Sequence, residues 1–213
     1  MTNSYICNCK KIDYSKKNYN YWENRQITTD EQDIILYIKN NFNIFNKRVL
    51  HIGVGNSYLA NEFKESKKII GLTISQKEII NANKLNINNY EVFLCDKYSI
   101  DFKNLFKDYY FDFIIDINLK SYSCCKTSFY YMFNNFVELL NKEGRIITSM
   151  NGMNWYKNLK PKLSFNFNDF FHYKLKEIEG NSDNILTMSE LSMLSKKNKL
   201  KISFNDKVCY LTK

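Results

Sequence analysis

The stretch RVLHIGVGNSYLA, residues 48–60, decides how the rest of the chain is read. An apolar run of strand character ends at Ile52, and Gly53 and Gly55 follow one residue apart. Glycine admits left-handed backbone and leaves the main chain bare to a neighbour. The segment after the loop has helix-forming composition, and a helix start presents unbonded N–H groups. A strand, a glycine turn and a helix in that order form the nucleus of a parallel α/β sheet.

Working outward, the alternation continues on both sides. Before the loop, TDEQDIILYIKNNF from Thr29 reads as an amphipathic helix with acids in its first turn and Ile34, Ile35, Ile38 and Phe42 inward. After it, KKIIGLTI reads as a strand and SQKEIINANKLN as a helix with Ile79, Ile80 and Leu85 inward. YEVFLCD and FDFIIDI are further strands, the second apolar enough to be buried on both faces. TSFYYMFNNFVELLN is a long helix, with Gly144 of Lys142-Glu143-Gly144 as its terminal cap, and RIITSM is a strand. Thr187 and Glu190 form a capping box for the helix MSELSMLSKKN. KLKISF and KVCYLTK then flank Asn205-Asp206 as a closing hairpin. Strict alternation means a doubly wound, mostly parallel sheet with helices on both faces, finished by an antiparallel hairpin. The organisation is a lead of residues 1–28 and a single domain over residues 29–213.

Composition bounds the function. The 213 residues are 44% hydrophobic and 25% charged, which is globular composition for one domain. No apolar run approaches the roughly 18 residues of a membrane span, and the amino terminus lacks a secretory core. The expectation is a soluble, cytoplasmic protein with no membrane partner. Among six cysteines there is no C-x-x-C pair, and His51 and His172 are the only histidines, so no metal site is expected and the thiols are read as idle. The net charge of +9 points toward nucleic acid, but the lysines are scattered, as at Lys16 and Lys17, Lys67 and Lys68, and Lys196 and Lys197. A diffuse positive surface ranks ahead of a phosphate-binding face, and nucleic acid is the second partner.

In a doubly wound sheet, ligands bind beyond the carboxyl ends of the strands, where the winding reverses, and residues 53–57 lie there. A dinucleotide site would add a third glycine or alanine, where Ser57 and Tyr58 stand, and an acid closing the second strand, where Thr73 stands. Both departures argue against a nicotinamide cofactor. The order of VLHIGVGNS, GLTIS and a terminal hairpin instead resembles the class I S-adenosylmethionine-dependent methyltransferases, over residues 29–213. That resemblance implies a seven-stranded sheet with an antiparallel last strand, S-adenosylmethionine as cofactor, and a methyltransferase activity.

The resemblance also implies site residues. The loop with Gly53, Gly55 and Asn56 would lie against the methionine part of the cofactor. His51 takes the place of the family's acid, and it is either an acceptor for the cofactor ammonium or a packed core residue. GLTISQKE is similar to the GLTLS-x-x-Q segment of cyclopropane-forming lipid methyltransferases, which places Thr73 and Ile74 at the ribose edge and Glu78 in the position that binds it. Locally, Ser75 and Glu78 also read as a capping box, and both readings stand. Asp96 would accept from the adenine amine with Lys97 and Tyr98 flanking the ring. Asp116 and Asn118 would lie beside the transferred methyl, with Asp116 a catalytic candidate, while Asp112 reads as structural. Arg25 either forks onto the cofactor carboxylate, with the lead as a lid over the site, or is solvated.

The acceptor is read from what is missing and what is added. Asp116-Ile-Asn118-Leu lacks the prolines of base-amine methyltransferases, and Cys124-Cys125 follow Ser123 where a cytosine-C5 enzyme needs Pro-Cys. Residues 151–184 form an aromatic insert on the substrate side, with Trp155, Tyr156, Phe165, Phe167, Phe170, Phe171 and Tyr173. His172 within it is a neutral-pH base or a packed residue. The expectation is methyl transfer to a hydroxyl or amine of a small molecule. The alternatives are an RNA or protein methyltransferase, or a noncatalytic binding module.

Overall fold

A computed structural model describes residues 5–7, 26–153 and 184–213. Helix α1 (Thr29–Asn41) begins where the Thr28 hydroxyl accepts the Glu31 N–H at 3.2 Å, and it buries Ile34, Ile35 and Ile38. Next come β1 (Arg48–Ile52), α2 (Tyr58–Glu62), β2 (Lys68–Thr73), α3 (Gln76–Lys84), β3 (Tyr90–Leu94), α4 (Ile100–Leu105), β4 (Phe111–Asp116), α5 (Lys126–Glu138), β5 (Leu140–Ser149) and α6 (Met150–Met153). Helix α7 (Met188–Lys197), β6 (Lys201–Phe204) and β7 (Val208–Thr212) complete the described chain.

The strands form one seven-stranded sheet in the order β3-β2-β1-β4-β5-β7-β6. β3, β2, β1, β4 and β5 run parallel, and β7 is antiparallel to both β5 and β6. The winding reverses between β1 and β4, which is where a crevice opens in this architecture. The doubly wound sheet with its closing hairpin is therefore as expected. Asn205 turns that hairpin, its side-chain oxygen accepting the Lys207 and Val208 N–H groups.

Each sheet face carries its own core. On one side Ile34, Ile38, Val49, Leu59, Phe63 and Ile69 pack together. On the other, Phe102, Phe106, Phe111, Phe129, Phe133 and Phe136 are fully buried, with Phe102 and Phe106 edge to face at 5.1 Å between centroids. Each such ring contributes roughly 1.5–3 kcal/mol on burial, so phenylalanine supplies much of this half of the core.

Some local expectations fail. Gly144 does not cap α5, because the helix ends at Glu138 and Leu140 already begins β5. Glu143 carries the left-handed turn instead (φ 64°). Gly144 is needed for close approach: a Cβ there would lie 2.9 Å from the carbonyl oxygens of both Asn141 and Phe111, beside the register shift between β4 and β5. In α3, Ile80 and Leu85 face solvent, because this helix lies against β2 and β3 near the sheet edge and buries Glu78 and Ala82. The Thr187 half of the second capping box forms, with its hydroxyl accepting the Glu190 N–H. The Glu190 carboxylate turns away to Lys120.

Gly152 decides how α6 meets the sheet. A Cβ at Gly152 would come within 1.9 Å of the Ile117 carbonyl oxygen. Alanine is ordinarily about 1 kcal/mol better than glycine inside a helix. Here Gly152→Ala is expected to reverse that sign and destabilise the protein by about 1–3 kcal/mol. Urea unfolding of the two proteins measures it.

Two buried ionisable side chains set an opposed pH dependence. Burial raises Glu31 from 4.5 to about 7, although its carboxylate accepts the Leu59 N–H. Burial lowers His51 from 6.5 to about 4. Between about 4.5 and 7 the folded state keeps a Glu31 proton that the unfolded chain releases, so stability falls as pH rises. Between about 4 and 6.5 the unfolded chain takes a proton that folded His51 refuses, so stability rises with pH. Each effect is on the order of 3 kcal/mol, and they cancel across the shared window. Glu31→Gln is expected to expose the His51 slope, with stability climbing steeply from pH 4 to 6.5 while the unaltered protein stays nearly flat. Denaturant midpoints at a series of pH values test it.

Candidate functional site

The loop after β1 is built from left-handed backbone. Gly53, Gly55 and Ser57 have φ of 73°, 52° and 62°. Positive φ at a serine costs roughly 1–2 kcal/mol, so the turn needs support. Ser57 receives it from a hydrogen bond of 2.9 Å between its hydroxyl and the Tyr90 phenol, and from its N–H, which donates to the Val54 carbonyl at 2.7 Å. Gly71, in the middle of β2, makes room: a Cβ there would lie 2.5 Å from Val54 Cγ1 and 3.0 Å from the Tyr90 oxygen. Above Gly53 the situation is opposite, since an added Cβ would meet nothing within 4 Å. Bare, exposed main chain with open space over it is the surface on which a ligand's polar end can settle. Asn56 stands half-buried in the same loop, its side-chain oxygen accepting from Tyr58 N–H at 3.4 Å.

Thr73 and Glu78 face this loop from the end of β2. The Thr73 hydroxyl donates to the Glu78 carboxylate at 2.5 Å and accepts the Ser75 N–H at 3.0 Å. The Glu78 carboxylate also accepts the Gly55 N–H, and burial raises its pKa. The Ser75 side chain caps nothing. A local capping box is therefore not what holds Glu78. It is directed across the chain onto the glycine loop, with Ile74 half-buried beside it.

Asp96 and Lys97 follow β3. Asp96 accepts from Tyr98 N–H at 3.0 Å and from the Tyr5 phenol at 2.8 Å, so the short segment 5–7 is tied to this end of the crevice. The Lys97 ammonium donates to Asp116 at 2.6 Å and to the carbonyls of Asn118 and Leu119, each at 3.2 Å. Both side chains of the pair are buried. Lys97 thus spends its donors on the end of β4 and holds Asp116 as a neutralised partner. Asp112 is structural, as read, accepting the Arg48 N–H at 2.8 Å with Lys47 beside it at 3.6 Å. His51 lies at the penultimate position of β1, paired in register with Gly71, fully buried and with neither ring nitrogen hydrogen-bonded.

The far side of the crevice is assembled around the turn after β4. The Ile117 carbonyl accepts from Ser149 N–H at 3.2 Å and from the Thr148 hydroxyl at 3.1 Å. The Lys120 ammonium joins this turn to α7 through Glu190 at 2.7 Å and the Ile185 carbonyl at 3.1 Å. Leu186 N–H donates to the Met153 carbonyl at 2.9 Å, so these two residues lie side by side. Arg25, His172 and the aromatic side chains between Trp155 and Tyr173 lie outside the described residues, as does most of the lead.

Sequence reading missed several of these residues. Gly71 announces itself only as a glycine inside a strand pattern, which marks close backbone approach. Tyr90 and Lys120 have no local signature. Spacing also hid a thiol cluster, because Cys7, Cys124 and Cys125 come together from segments 117 residues apart, with Cys7 and Cys124 sulfurs at 3.2 Å.

No protein-family model and no curated protein matches the sequence. Solved structures do match in shape. The N-methyltransferase NodS from Bradyrhizobium japonicum, crystallised with S-adenosyl-L-homocysteine, superposes at a TM-score of 0.56 with 10% identity, covering 87% of each chain. Magnesium protoporphyrin IX methyltransferase from Synechocystis, also with S-adenosylhomocysteine bound, gives 0.54 at 12% identity over 89% of each chain. A ribosomal protein L11 methylase from Lactobacillus delbrueckii gives 0.52 at 11% identity, over 88% of this chain and 79% of that one. No helix among the described residues is long and apolar enough to cross a membrane. At these identities the likeness is one of architecture, and the chain has the Rossmann-like fold of the class I S-adenosylmethionine-dependent methyltransferases.

Proposed function

We propose that the chain is an S-adenosylmethionine-dependent methyltransferase acting on a hydroxyl or amine of a small-molecule acceptor. One observation carries the reading most. A left-handed glycine loop with open space over Gly53 faces a buried carboxylate, Glu78, that the loop itself holds through Gly55 N–H. Exposed main chain at one end and an acceptor for hydroxyls at the other suit the amino-acid and ribose parts of such a cofactor. The sulfonium supplies the electrophilic methyl. The neighbours crystallised with S-adenosylhomocysteine support the same cofactor.

Roles follow from position. The loop of Gly53, Gly55 and Asn56 binds the amino-acid end, and Thr73, Ile74 and Glu78 bind the ribose edge. Asp96 and Tyr98 sit at the adenine end beside Tyr5, which donates to Asp96; Arg25 pairs with the cofactor carboxylate. Lys97 acts mainly by fixing Asp116, and Asp116, with its charge neutralised, orients the acceptor instead of taking its proton. His51 supports the loop from beneath and reaches the cofactor ammonium only through a rearrangement of its buried ring. His172, in the aromatic segment rooted between Met153 and Leu186, takes the proton. The acceptor lies beside Ile117 and Asn118, at the turn after β4.

Calorimetry with S-adenosylmethionine and S-adenosylhomocysteine tests the cofactor, and no binding by the folded chain would leave the noncatalytic module. Glu78→Ala is expected to weaken both ligands at least tenfold, since a charge-assisted hydrogen bond is worth about 1.5–3 kcal/mol. It is a cleaner probe than Gly55→Val, because Gly55 has a φ of 52° and valine would strain the loop regardless of any ligand. A lower melting temperature with unchanged affinity would make Glu78 a purely structural brace.

The acceptor half has its own test. Turnover is expected to rise with pH through the titration of His172, near 6.5 for an ordinary imidazole. His172→Ala should lower it roughly 10²-fold while leaving cofactor affinity intact. Methyl incorporation into RNA or protein, with RNA binding lost steeply as salt rises, would replace the small-molecule acceptor by a macromolecular one.

A further inference from the structure

Three sulfurs converge at the edge of the crevice, outside the machinery described above. The ligand atoms of Cys7, Cys124 and Cys125 all lie within 4.8 Å of one another. Cys7 and Cys124 sulfurs are 3.2 Å apart, and those of Cys124 and Cys125 are 3.9 Å apart. We propose that these cysteines form a thiolate site for a soft divalent metal ion of the zinc class, which fastens segment 5–7 to the turn before α5.

The distances fit that occupant. A tetrahedral ion with metal–sulfur bonds of about 2.3 Å holds its sulfurs about 3.8 Å apart, close to the separation of Cys124 and Cys125 and within a small rotamer change for Cys7. A disulfide needs its sulfurs at roughly 2.05 Å and would use two of the three thiols, leaving the third unexplained. Idle packing does not account for the cluster either. All three cysteines are only half-buried, and they reach one point from two remote parts of the chain.

Burial, and after it the contact with Cys7, hold the Cys124 thiol well above its ordinary range, so the ion must displace a firmly held proton there; the turn itself positions Cys125. Cys125 is the N-cap of α5, in extended conformation, and its sulfur accepts the Ser128 N–H at 3.4 Å. The start of a thirteen-residue helix is electropositive and stabilises an anionic sulfur. The Ser123 hydroxyl donates to the Cys125 carbonyl at 2.9 Å, and Tyr98 anchors the same turn through the Ser121 carbonyl at 2.8 Å. Cys125 is thus preset with Cys124 beside it, and Cys7 closes on them from the strap that also places Tyr5 on Asp96. Binding releases one proton for each thiol that becomes a ligand, and a solvent molecule or a further donor fills the fourth position.

The full chain, with its thiols reduced, should be titrated with Co²⁺ as a spectroscopic probe. One equivalent is expected to develop thiolate-to-cobalt charge-transfer absorption with tetrahedral ligand-field bands, and Zn²⁺ should displace it. Cys7→Ser, Cys124→Ser and Cys125→Ser should each weaken binding at least tenfold. Serine is itself a good N-cap, so Cys125→Ser keeps the α5 start. Melting temperatures without metal verify that each variant folds, and Zn²⁺ should raise the melting temperature of the unaltered chain alone. Absence of the charge-transfer band in the reduced chain would overturn the site. So would full-strength binding in Cys7→Ser, or a Cys7–Cys124 disulfide in the chain isolated without reductant.

Discussion

The Lys97–Asp116 ion pair sets the shape of everything above the sheet. β3 and β4 are separated by β2 and β1, so a lysine just after β3 reaches Asp116 only by crossing the carboxyl ends of the two middle strands. Its three donors are used on Asp116 and the carbonyls of Asn118 and Leu119. A buried ion pair adds little net stability over an apolar pair, but breaking it leaves an uncompensated buried charge, which costs about 3–5 kcal/mol. The pair is therefore better understood as a constraint on geometry. It fixes the turn after β4 relative to the turn after β3, and the glycine loop lies between them. The charged groups that a sequence reader would assign to a ligand are in part assigned to each other.

That division explains how far the sequence could be read. Element order and sheet type were legible because period and punctuation are local properties: β4 is an unbroken apolar run and the hairpin carries Asn205-Asp206 at its turn. The glycine loop was legible for the same reason. The errors all involve competition between a local pattern and a tertiary partner. Of the two readings left open for Glu78, the capping box is the one that gives way, because the carboxylate is drawn to Thr73 and Gly55. Gly144 has the look of a helix cap, yet it serves the close approach of β4 and β5. Ile80 and Leu85 fit an apolar stripe, yet their helix sits where the sheet is too narrow to cover them. Nothing local joins Cys7 to Cys124, so no spacing rule could have found that cluster.

Two halves of the crevice thus differ in kind. The half proposed for the cofactor is made from strand ends and tight turns, whose positions the sheet dictates, and Thr73, Glu78 and Lys97 there already have main-chain or side-chain partners while the buried His51 ring has none. The half proposed for the acceptor is made, among the described residues, from the β4 turn, α6 and α7. Conserved architecture with unlike substrates is what such an arrangement permits, and the structural neighbours act on different molecules by their own descriptions.

The single hydrogen bond from Leu186 to Met153 has an evolutionary consequence. It holds two residues far apart in the sequence, Met153 and Leu186, side by side. Lengthening a loop whose ends are already joined costs only about 0.6 kcal/mol for each doubling, because closure entropy grows logarithmically. The seam is also braced independently by Lys120 and Glu190. Such a junction behaves as a socket, where chain of other length could be joined across the two residues at little cost in closure entropy.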